Sequence, residues 1–352
     1  MGAIDQAIRD LILMNAIDLT RLEAHERQKV IDILKRLEKD LSELLASEVV
    51  SSLGRSAVNL ILSDARAIIK ESYIEAQAIA QVTATGLVEL ESKFIVDVMQ
   101  QTLNIAVSEG TAITAGHAKV LATNALIDGS PAAQWWSRQA GDVAFRFAAE
   151  VRKGVAASET NQQIISRIVG TETTPGVMPI ARKNAATLVQ TSVQTVANES
   201  RMATFKEFDD VIEAYYFLAT LDSHTCPQCA AYSGMEWDTN EQPINGNTLP
   251  FVNPPLHMNC RCLINVRTKK IEGMPRLSDD PHRMRASSLG PVPMSFTFDD
   301  YFKSRSVNDQ NEQFGKGRAE LYRQGKITLR DMLDQSGNKL SLEQLIAKYG
   351  KK

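Results

Sequence analysis

The stretch TCPQCAAYSGMEWDTNEQPINGNTLPFVNPPLHMNCRCLINV, residues 225–266, contains every cysteine of the 352-residue chain. A C-x-x-C pair opens it, and a C-x-C pair preceded by His257 lies near its end. The four cysteines are Cys226, Cys229, Cys260 and Cys262. So few cysteines, so closely spaced, are typical of a metal clip in a reducing compartment and not of a secreted disulfide framework. We therefore expect the protein to fold in a cytoplasm.

A structural zinc ion takes four tetrahedral ligands, and a C-x-x-C turn supplies two thiolates. Cys260 and Cys262 are two residues apart, so on an extended strand their side chains point to the same face. His257 follows the Pro254-Pro255 turn and approaches from there. Five residues then compete for four places, and His224 is a weaker sixth candidate. The candidate metal ligands are Cys226, Cys229, His257, Cys260 and Cys262, for one structural Zn²⁺.

Two other interpretations of the thiols remain open. Two disulfides could pin the loop to the following strand, or the thiols could be small buried hydrophobic groups. A catalytic zinc would need an open coordination position and a nearby general base. The zinc-deaminase signature, H-E-x-x-H, the P-loop and the G-x-S-x-G motif are all missing from the sequence. We therefore predict no catalytic residue and no enzyme.

The segments before this stretch have helical periodicity. Apolar residues recur every three or four positions from residue 4 to about 48, which predicts one long helix or two joined near Asp18. The same spacing continues over about 56–82, and Gly86 is expected to begin a further run to Gly110. The first third is thus predicted to be a helical array, whose apolar stripes form either its own core or a contact with another subunit.

The densest aromatic patch follows the turn at 128–131. It consists of Trp135, Trp136, Phe145 and Phe147. Paired tryptophans suggest base stacking, but alanine and valine on the same helix face favour packing inside the protein or against a partner.

The pattern then changes from helix to strand. A short helix is predicted with Ser158 or Thr160 at its cap and Gly170 at its end, followed by a long helix with Pro179 at its start. The run VIEAYYFLAT and the end of the cysteine stretch, CLINVR, have the composition and alternation of strands. The predicted fold class is mainly α, with a helical N-terminal array, a small Cys/His-rich mixed α/β module and an extended tail.

Four segments are predicted: a helical region at 1–130, the cysteine-containing domain at 131–268, a linker at 269–295 and a C-terminal tail at 296–352. The linker is rich in Pro, Ser and charged residues. The tail regains helical character at its end, where Ser341 is a predicted cap and Gly350 a predicted stop.

Charge and hydropathy limit the choice of partners. From Arg267 onward the chain has 17 Lys and Arg against 11 Asp and Glu, whereas the first 266 residues have 22 against 31. The basic end could contact a nucleic acid or an acidic partner, but a charge spread over so many residues favours a solvated surface. No apolar stretch approaches the roughly 20 residues that span a bilayer, so we expect neither secretion nor a membrane span.

The order of unusual residues resembles a known family. LDSHTCPQCAAYSG followed by PPLHMNCRCLINV is similar to the hallmark of the phage Mu F-like minor head proteins, also called the phage head morphogenesis domain. The helix before it and FGKGRAELYRQGKITLRDMLDQSGNKLSLEQL after it also resemble that family. The resemblance covers roughly residues 140–345, and the first 130 residues match only in being helical. Met258 departs from the Pro that is common there.

The resemblance implies a low-copy structural protein of a tailed bacteriophage, in the capsid interior near the portal vertex, that acts in head morphogenesis, DNA packaging or genome delivery. Its partners would be the portal protein and other head proteins, with packaged DNA as a further contact of the basic tail. No membrane is expected in assembly, which would take place in the host cytoplasm. The family has no established catalytic residue to carry over. It implies fold-defining roles for Asp222, Thr225, Cys226, Cys229, Pro255, His257, Cys260, Arg261 and Cys262.

Arg261 has two physical interpretations, as a guanidinium that offsets thiolate charge or binds the Asp222 carboxylate, or as a surface residue on an edge strand. Two alternative functions remain. One is a metal-dependent enzyme acting on nucleic acid, for which Asp222, His224 and Asp238 are the local candidates. The other is a packaged effector ejected with the DNA.

Overall fold

A computed structural model describes residues 3–47, 54–103, 112–269, 284–285, 287–293 and 295–350. The chain is mainly α-helical with a small α+β part, which confirms the predicted fold class. Within the described ranges, no helix combines the length and the apolar character needed to cross a membrane.

Eleven α-helices occur in the described residues. They are α1 Ala3–Ala46, α2 Arg55–Leu103, α3 Ala115–Asn124, α4 Ala132–Ala156, α5 Asn161–Val169, α6 Val177–Lys206, α7 Pro227–Tyr232, α8 Phe298–Ser304, α9 Val307–Phe314, α10 Lys316–Arg323 and α11 Leu342–Tyr349. A 3₁₀ turn lies at Arg330–Met332.

The strands are short and antiparallel. They are β1 Leu126–Ile127, β2 Ser130–Pro131, β3 Ile212–Leu218, β4 Glu236–Trp237, β5 Pro243–Ile244, β6 Leu263–Thr268, β7 Met284–Arg285 and β8 Val292–Pro293. The main sheet has the order β5-β4-β3-β6, and Tyr215 of β3 pairs with Val266 of β6. The strands predicted from VIEAYYFLAT and CLINVR are therefore confirmed as β3 and β6.

The chain forms two compact units. The helical unit comprises Asp18–Leu87 and Gly116–Val196. The cysteine unit comprises Met1–Ile17, Val88–Ala115 and Ala197–Lys352. The four consecutive segments proposed from the sequence stay a prediction about domain boundaries.

Apolar stripes build the helical unit. In α1, Val30, Leu34, Leu37 and Leu41 are fully buried at the three- and four-residue spacing of one helix face. Each buried side chain of this size contributes about 1.5–3 kcal/mol. The sequence left open one helix or two, and α1 runs without a break to Ala46.

The aromatic residues of the patch lie on different faces of α4, so two are buried and one is mostly exposed. Trp136 and Phe147 are buried, and the Trp136 ring lies edge-on to Tyr73 with centroids 6.2 Å apart. Phe145, on another face of α4, is 76% exposed. Trp135 donates its indole N–H to the Ile127 carbonyl at 2.7 Å. Packing inside the protein therefore explains two of the four rings.

The expected helix start at Gly86 is wrong, because α2 continues through it to Leu103. No atom lies within 4 Å of a Cβ placed on Gly86, so no close approach requires a glycine there. A glycine within a helix costs only about 1 kcal/mol relative to alanine, and packing along 49 residues offsets that amount. The remainder of the predicted run, from 104 to 110, lies outside the described residues.

The predicted caps of α5 and α11 are confirmed. Thr160 caps α5 in a capping box with Gln163, and Gly170 ends the helix with φ +94°. Ser341 caps α11 in a second capping box with Gln344, and Gly350 follows the last turn. These caps satisfy backbone N–H groups that the helix itself leaves unpaired.

The predicted linker is only partly described. Its residues 284–285 and 292–293 pair as β7 and β8, and Ser287 forms a parallel bridge with Leu221. The positions 270–283, 286 and 294 lie outside the described residues.

The segment after residue 295, expected as a tail, is folded and shares a hydrophobic core with the cysteine stretch. Four short helices, α8 to α11, contribute to this core. Its buried members include Tyr232, Trp237, Phe298, Phe302, Phe314, Met332 and Leu345 together with Cys229, Cys260 and Cys262. A second core, formed by the ends of α2 and α6, packs on Tyr215 of β3 and Ile264 and Val266 of β6. The cysteine stretch is therefore supported by both cores of its unit.

Candidate metal centre

The first pair of cysteines lies at the start of α7. Cys226 is the N-cap residue, and Pro227 occupies the first helical position, where its missing N–H costs nothing. The Cys226 sulfur accepts a hydrogen bond from the backbone N–H of Cys229 at 3.4 Å. The C-x-x-C segment thus forms a tight turn that presents both sulfurs on one side.

The second half of the site is another tight turn, His257 to Cys260. It follows the cis peptide bond between Pro254 and Pro255, and the Cys260 N–H donates to the His257 carbonyl at 3.1 Å. Asn259 adopts φ +63°, a left-handed conformation that asparagine tolerates better than most residues.

The sequence predicted that both cysteines of the C-x-C pair lie on an extended strand. They do not, because β6 begins only at Leu263. Cys260 belongs to the turn, and Cys262 lies just before β6. Their sulfurs nevertheless converge, each lying within 4.8 Å of the other and of the Cys229 sulfur.

The candidate ligand atoms form two overlapping groups of three. The His257 Nε2 lies 3.2 Å from the Cys226 sulfur and 3.3 Å from the Cys229 sulfur. The Cys229 sulfur lies 3.7 Å from the Cys260 sulfur. All five predicted residues are therefore brought together around Cys229, whereas His224 belongs to neither group in the described part of the chain.

The cluster perturbs the pKa values of its members. Hydrogen bonding from Cys229, and then from His257, lowers the pKa of the Cys226 thiol to about 4. Hydrogen bonding from Cys229 likewise lowers the pKa of the Cys260 thiol. The pKa of Cys229 is raised, because its thiol is held as the donor to Cys226 and Cys260. Contact with the Cys226 sulfur raises the pKa of His257 to about 9.

These shifts describe a cluster that favours negative sulfur at two positions. Thiolates are the form of cysteine that binds metals. All four cysteines are free thiols, with Cys226 half-buried and the others buried. The donor set of sulfur and imidazole nitrogen suits Zn²⁺, and a 3.7 Å sulfur separation is close to the edge of about 3.8 Å in a tetrahedral zinc site. The residues present thus fit a structural zinc ion, and their burial also leaves the simple core interpretation in place.

Side chains that the sequence analysis did not identify hold the surrounding backbone. Asn198 of α6 is fully buried and donates to the Cys262 carbonyl at 3.1 Å, while its own oxygen accepts from the Ile264 N–H at 3.0 Å. Gln313 of α9 donates to the carbonyls of Asp222 and Thr225, both at 2.9 Å. Neither residue has a local sequence signal, because its partner is at least 64 positions away.

Arg261 binds Asp222, as one of the two interpretations of the sequence predicted. A single terminal nitrogen lies 2.7 Å and 2.9 Å from the two carboxylate oxygens. The pair is half-buried, and it joins the residue between the last two cysteines to the loop before the first two. Thr220 adds a hydrogen bond from its hydroxyl to the Arg261 carbonyl at 3.0 Å.

The acidic residues considered for nuclease chemistry have other partners. Asp222 is paired with Arg261, and Asp238 accepts from the backbone N–H groups of Asn240 and Gln242 in a turn. Among the described residues, neither carboxylate belongs to a metal-ligand group with the cysteines. The part of the chain that the structure describes therefore shows no mixed carboxylate and thiolate group around the cysteines.

The C-terminal segment covers α7. Gln228 donates to the Gly337 carbonyl at 3.0 Å, and the buried Tyr232 ring stacks with Trp237 at 6.2 Å. Gly337 has φ +81°, and a Cβ placed on it would lie 2.0 Å from the Tyr232 hydroxyl. Only glycine therefore fits at this contact.

Comparison with protein families supports the resemblance. Residues 145–265 match the family model described as Phage Mu protein F like protein, so the resemblance seen in the sequence is confirmed over those residues. The match extends from α4 into β6 and includes all five candidate ligands. Neither curated proteins nor solved structures gave a match. The resemblance proposed for 266–345 lies outside the matched residues and stays a prediction.

Proposed function

We propose that this chain, which carries a Phage Mu F-like domain of the phage head protein family over residues 145–265, is a minor head protein associated with the portal vertex of a tailed bacteriophage. It would act in head morphogenesis. At the portal vertex, through which DNA passes, it would also act in DNA packaging or genome delivery. The observation that carries the proposal is the family match, which coincides with the fold-defining residues around the cysteine cluster.

The structure supports a scaffolding role for the matched region. Asp222 and Arg261 form an ion pair, Thr225 donates to the Thr220 carbonyl, and the cysteines and His257 fill the space between two turns. These residues, to which the resemblance gave fold-defining roles, thus contact the local framework. Such contacts maintain shape, and a protein that assembles with others needs a fixed surface.

A minor head protein must bind other proteins of the phage head. The portal protein is the first, and other head proteins are further candidates, with the chain present in few copies around the vertex. The helical unit supplies long helices with exposed apolar side chains, including Leu60 and Val82 of α2 and Phe145 of α4. These side chains are available for protein contacts.

Contact with packaged DNA through the basic C-terminal segment is a weaker part of the proposal. Several of its basic side chains have partners within the fold. Arg305 pairs with Asp309, and Arg318 donates to the Leu340 carbonyl. A nucleic-acid surface usually presents its cations to solvent. Protein contacts therefore rank above DNA contacts.

The test is made in the phage that encodes the chain. Quantitative mass spectrometry of purified heads should find it in a small number of copies per particle, and it should remain with the portal complex when the capsid shell is dissociated. Deleting the gene should yield defective heads or particles that fail to deliver DNA, and the wild-type gene supplied in trans should restore them. Absence from purified heads, or a copy number equal to that of the major shell protein, would overturn the proposal.

A further inference from the structure

We propose that this protein binds one structural Zn²⁺ and that Cys262 is not one of its ligands. The four ligands would be Cys226, Cys229, His257 and Cys260. The ion would then join the two tight turns of the site and hold α7 in the position against which the C-terminal segment packs.

The two turns present their donors in matching ways. Each contributes two ligands three residues apart, Cys226 with Cys229 and His257 with Cys260. Each turn is closed by a hydrogen bond that the backbone N–H of its last residue donates to its first residue. The C-x-x-C and H-x-x-C spacings that result are ones that zinc sites use. Neither turn needs to be rebuilt to face the other, because contacts between them are already 3.2 to 3.7 Å long.

Three of the distances between the donors are close to those of a tetrahedral site. With zinc–sulfur and zinc–nitrogen bonds of about 2.3 and 2.0 Å, tetrahedral edges are roughly 3.8 Å between two sulfurs and 3.5 Å between sulfur and nitrogen. The Cys229–Cys260 separation is 3.7 Å, and the contacts of the His257 Nε2 with Cys226 and Cys229 are 3.2 and 3.3 Å. The donors of the first turn and His257 form one close group, whereas Cys260 is grouped with Cys229 and Cys262. The Cys260 sulfur must therefore move closer to Cys226 and His257 to complete the tetrahedron.

His257 is oriented as a zinc ligand. Its Nδ1 lies 2.8 Å from the Met258 carbonyl, to which it donates a hydrogen bond. That bond fixes the ring and directs Nε2 at the two sulfurs of the first turn. A ligating histidine typically has such a bond from its other nitrogen, because it sets the tautomer and the ring orientation.

Cys260 and Cys262 differ in their freedom to approach the ion. Cys262 is held by Asn198, which binds its carbonyl and the N–H of Ile264, and its neighbour Leu263 is already paired in the sheet. Cys260 lies in the turn beside the left-handed Asn259 and makes the direct contact with Cys229. Cys260 can therefore move towards His257, whereas moving Cys262 would break buried hydrogen bonds.

The ion would also stabilise the C-terminal segment. Its first two ligands lie at the start of α7, and Gln228 and Tyr232 of the same element contact Gly337. α7 has only six residues, and without the ion it is held by its packing and a few hydrogen bonds. Loss of metal should therefore expose the region of 330–340 before it exposes the long helices.

The first experiment measures metal in the purified full-length chain, prepared without chelator. We expect about one zinc per chain, as for a closed structural site. Substituting Cys226→Ser, Cys229→Ser, His257→Ala or Cys260→Ser should reduce that content several-fold. Cys262→Ser is the matched control among the cysteines, and His224→Ala is the control among the histidines. Both should retain the wild-type content.

Cobalt provides a second measurement, and its main result comes from the wild-type chain. Chain refolded with Co²⁺ should show the intense visible absorption of tetrahedral cobalt and a thiolate charge-transfer band. That band should be unchanged in Cys262→Ser. Wild-type chain that takes up neither zinc nor cobalt would overturn the proposal. Loss of metal in Cys262→Ser with retention in Cys260→Ser would overturn the choice of ligands.

Hydrogen exchange tests the link to the C-terminal segment. Chelator should increase exchange in peptides from α7 and from 330–340 at least several-fold, while peptides from α1 exchange as before. Equal exchange with and without metal would overturn the stabilising role. All these measurements use the isolated chain, so a negative result would count against the zinc site and not against the proposed role in the phage head. A chain that is absent from purified heads would count against that role and not against the zinc site.

Discussion

The two parts of α6 bury their polar side chains in different ways. In the part that belongs to the helical unit, Ser192 and Thr195 donate their hydroxyls to carbonyls four residues earlier in the same helix. In the part that belongs to the cysteine unit, Asn198 binds the backbone around Cys262, and Arg201 forms an ion pair with Glu91 at 2.8 Å. One helix thus satisfies its polar groups locally over one stretch and through distant segments over the next.

The difference shows where each unit obtains its specificity. A helix whose polar groups bond within it needs neighbours only for its apolar face, so the periodic pattern almost defines it. Short strands and loops leave many backbone groups unpaired, and each buried one must find a partner. In the cysteine unit those partners come from side chains far away in sequence.

The largest effect should come from the aromatic core of the cysteine unit. Trp237 is fully buried, donates to the Leu249 carbonyl and contacts the rings of Tyr232 and Phe251. We expect Trp237→Ala to lower the free energy of unfolding by about 4 kcal/mol, the usual cost of a large cavity. Urea unfolding followed by circular dichroism measures it.

Phe145→Ala is the control, because that ring is mostly exposed on a helix of the other unit. Its effect should stay within about 0.5 kcal/mol. Comparable losses in the two variants would contradict the contrast drawn between them.

The contrast within α6 itself predicts the next largest effect. Asn198→Ala leaves the Cys262 carbonyl and the Ile264 N–H buried without their partner. The expected loss is about 3 kcal/mol, since each unsatisfied buried group costs roughly 1–3 kcal/mol.

Ser192→Ala removes a hydroxyl that bonds only a carbonyl already in the helix, and it should cost less than about 1 kcal/mol. The same urea titration compares the two. An effect of Ser192→Ala as large as that of Asn198→Ala would mean that local and long-range bonds contribute equally here.

A smaller effect is expected at the contact between α7 and the C-terminal segment. Gly337→Ala places a methyl group against the Tyr232 hydroxyl at a positive φ. We expect a loss of about 2 kcal/mol, from backbone strain together with the displaced ring.

Gly325→Ala is matched to it, with φ +68° and open space around the new Cβ. It should lose only about 1 kcal/mol from the left-handed conformation. Thermal unfolding of the two variants separates the strain from the collision, and equal shifts in melting temperature would show that Tyr232 moves away freely.

The smallest effects should be equal in the two units. Thr160 caps α5 in the helical unit and Thr297 caps α8 in the cysteine unit, each in a capping box. Replacing either with alanine should cost about 1 kcal/mol, because the lost bond is local in both. Chemical denaturation of both variants tests this, and a difference much above 1 kcal/mol would show that one cap also has a tertiary role.

Sequence reasoning identified what depends on neighbours along the chain. The helix pattern, the caps at Thr160 and Ser341, the strands β3 and β6 and the five clustered candidate ligands all follow from local composition and spacing. The predicted helix start at Gly86 was wrong. Glycine is a weak helix former and so indicates a possible break, but packing from distant residues can outweigh that preference and cannot be read from neighbouring residues. Sequence reasoning also expected a tail after residue 295, where the structure has four helices on a shared core.

The sequence by itself determined the helical character, the gathering of Cys226, Cys229, His257, Cys260 and Cys262, and the likeness to the Phage Mu F-like family. These properties depend on residue type and on spacing along the chain. Only the tertiary structure decided that Asn198 and Gln313 hold the loops, that Arg261 pairs with Asp222, and that Gly337 supports Tyr232. The physical reason is that a buried hydrogen bond or close contact depends on where the chain returns in space, and spacing along the sequence does not specify that.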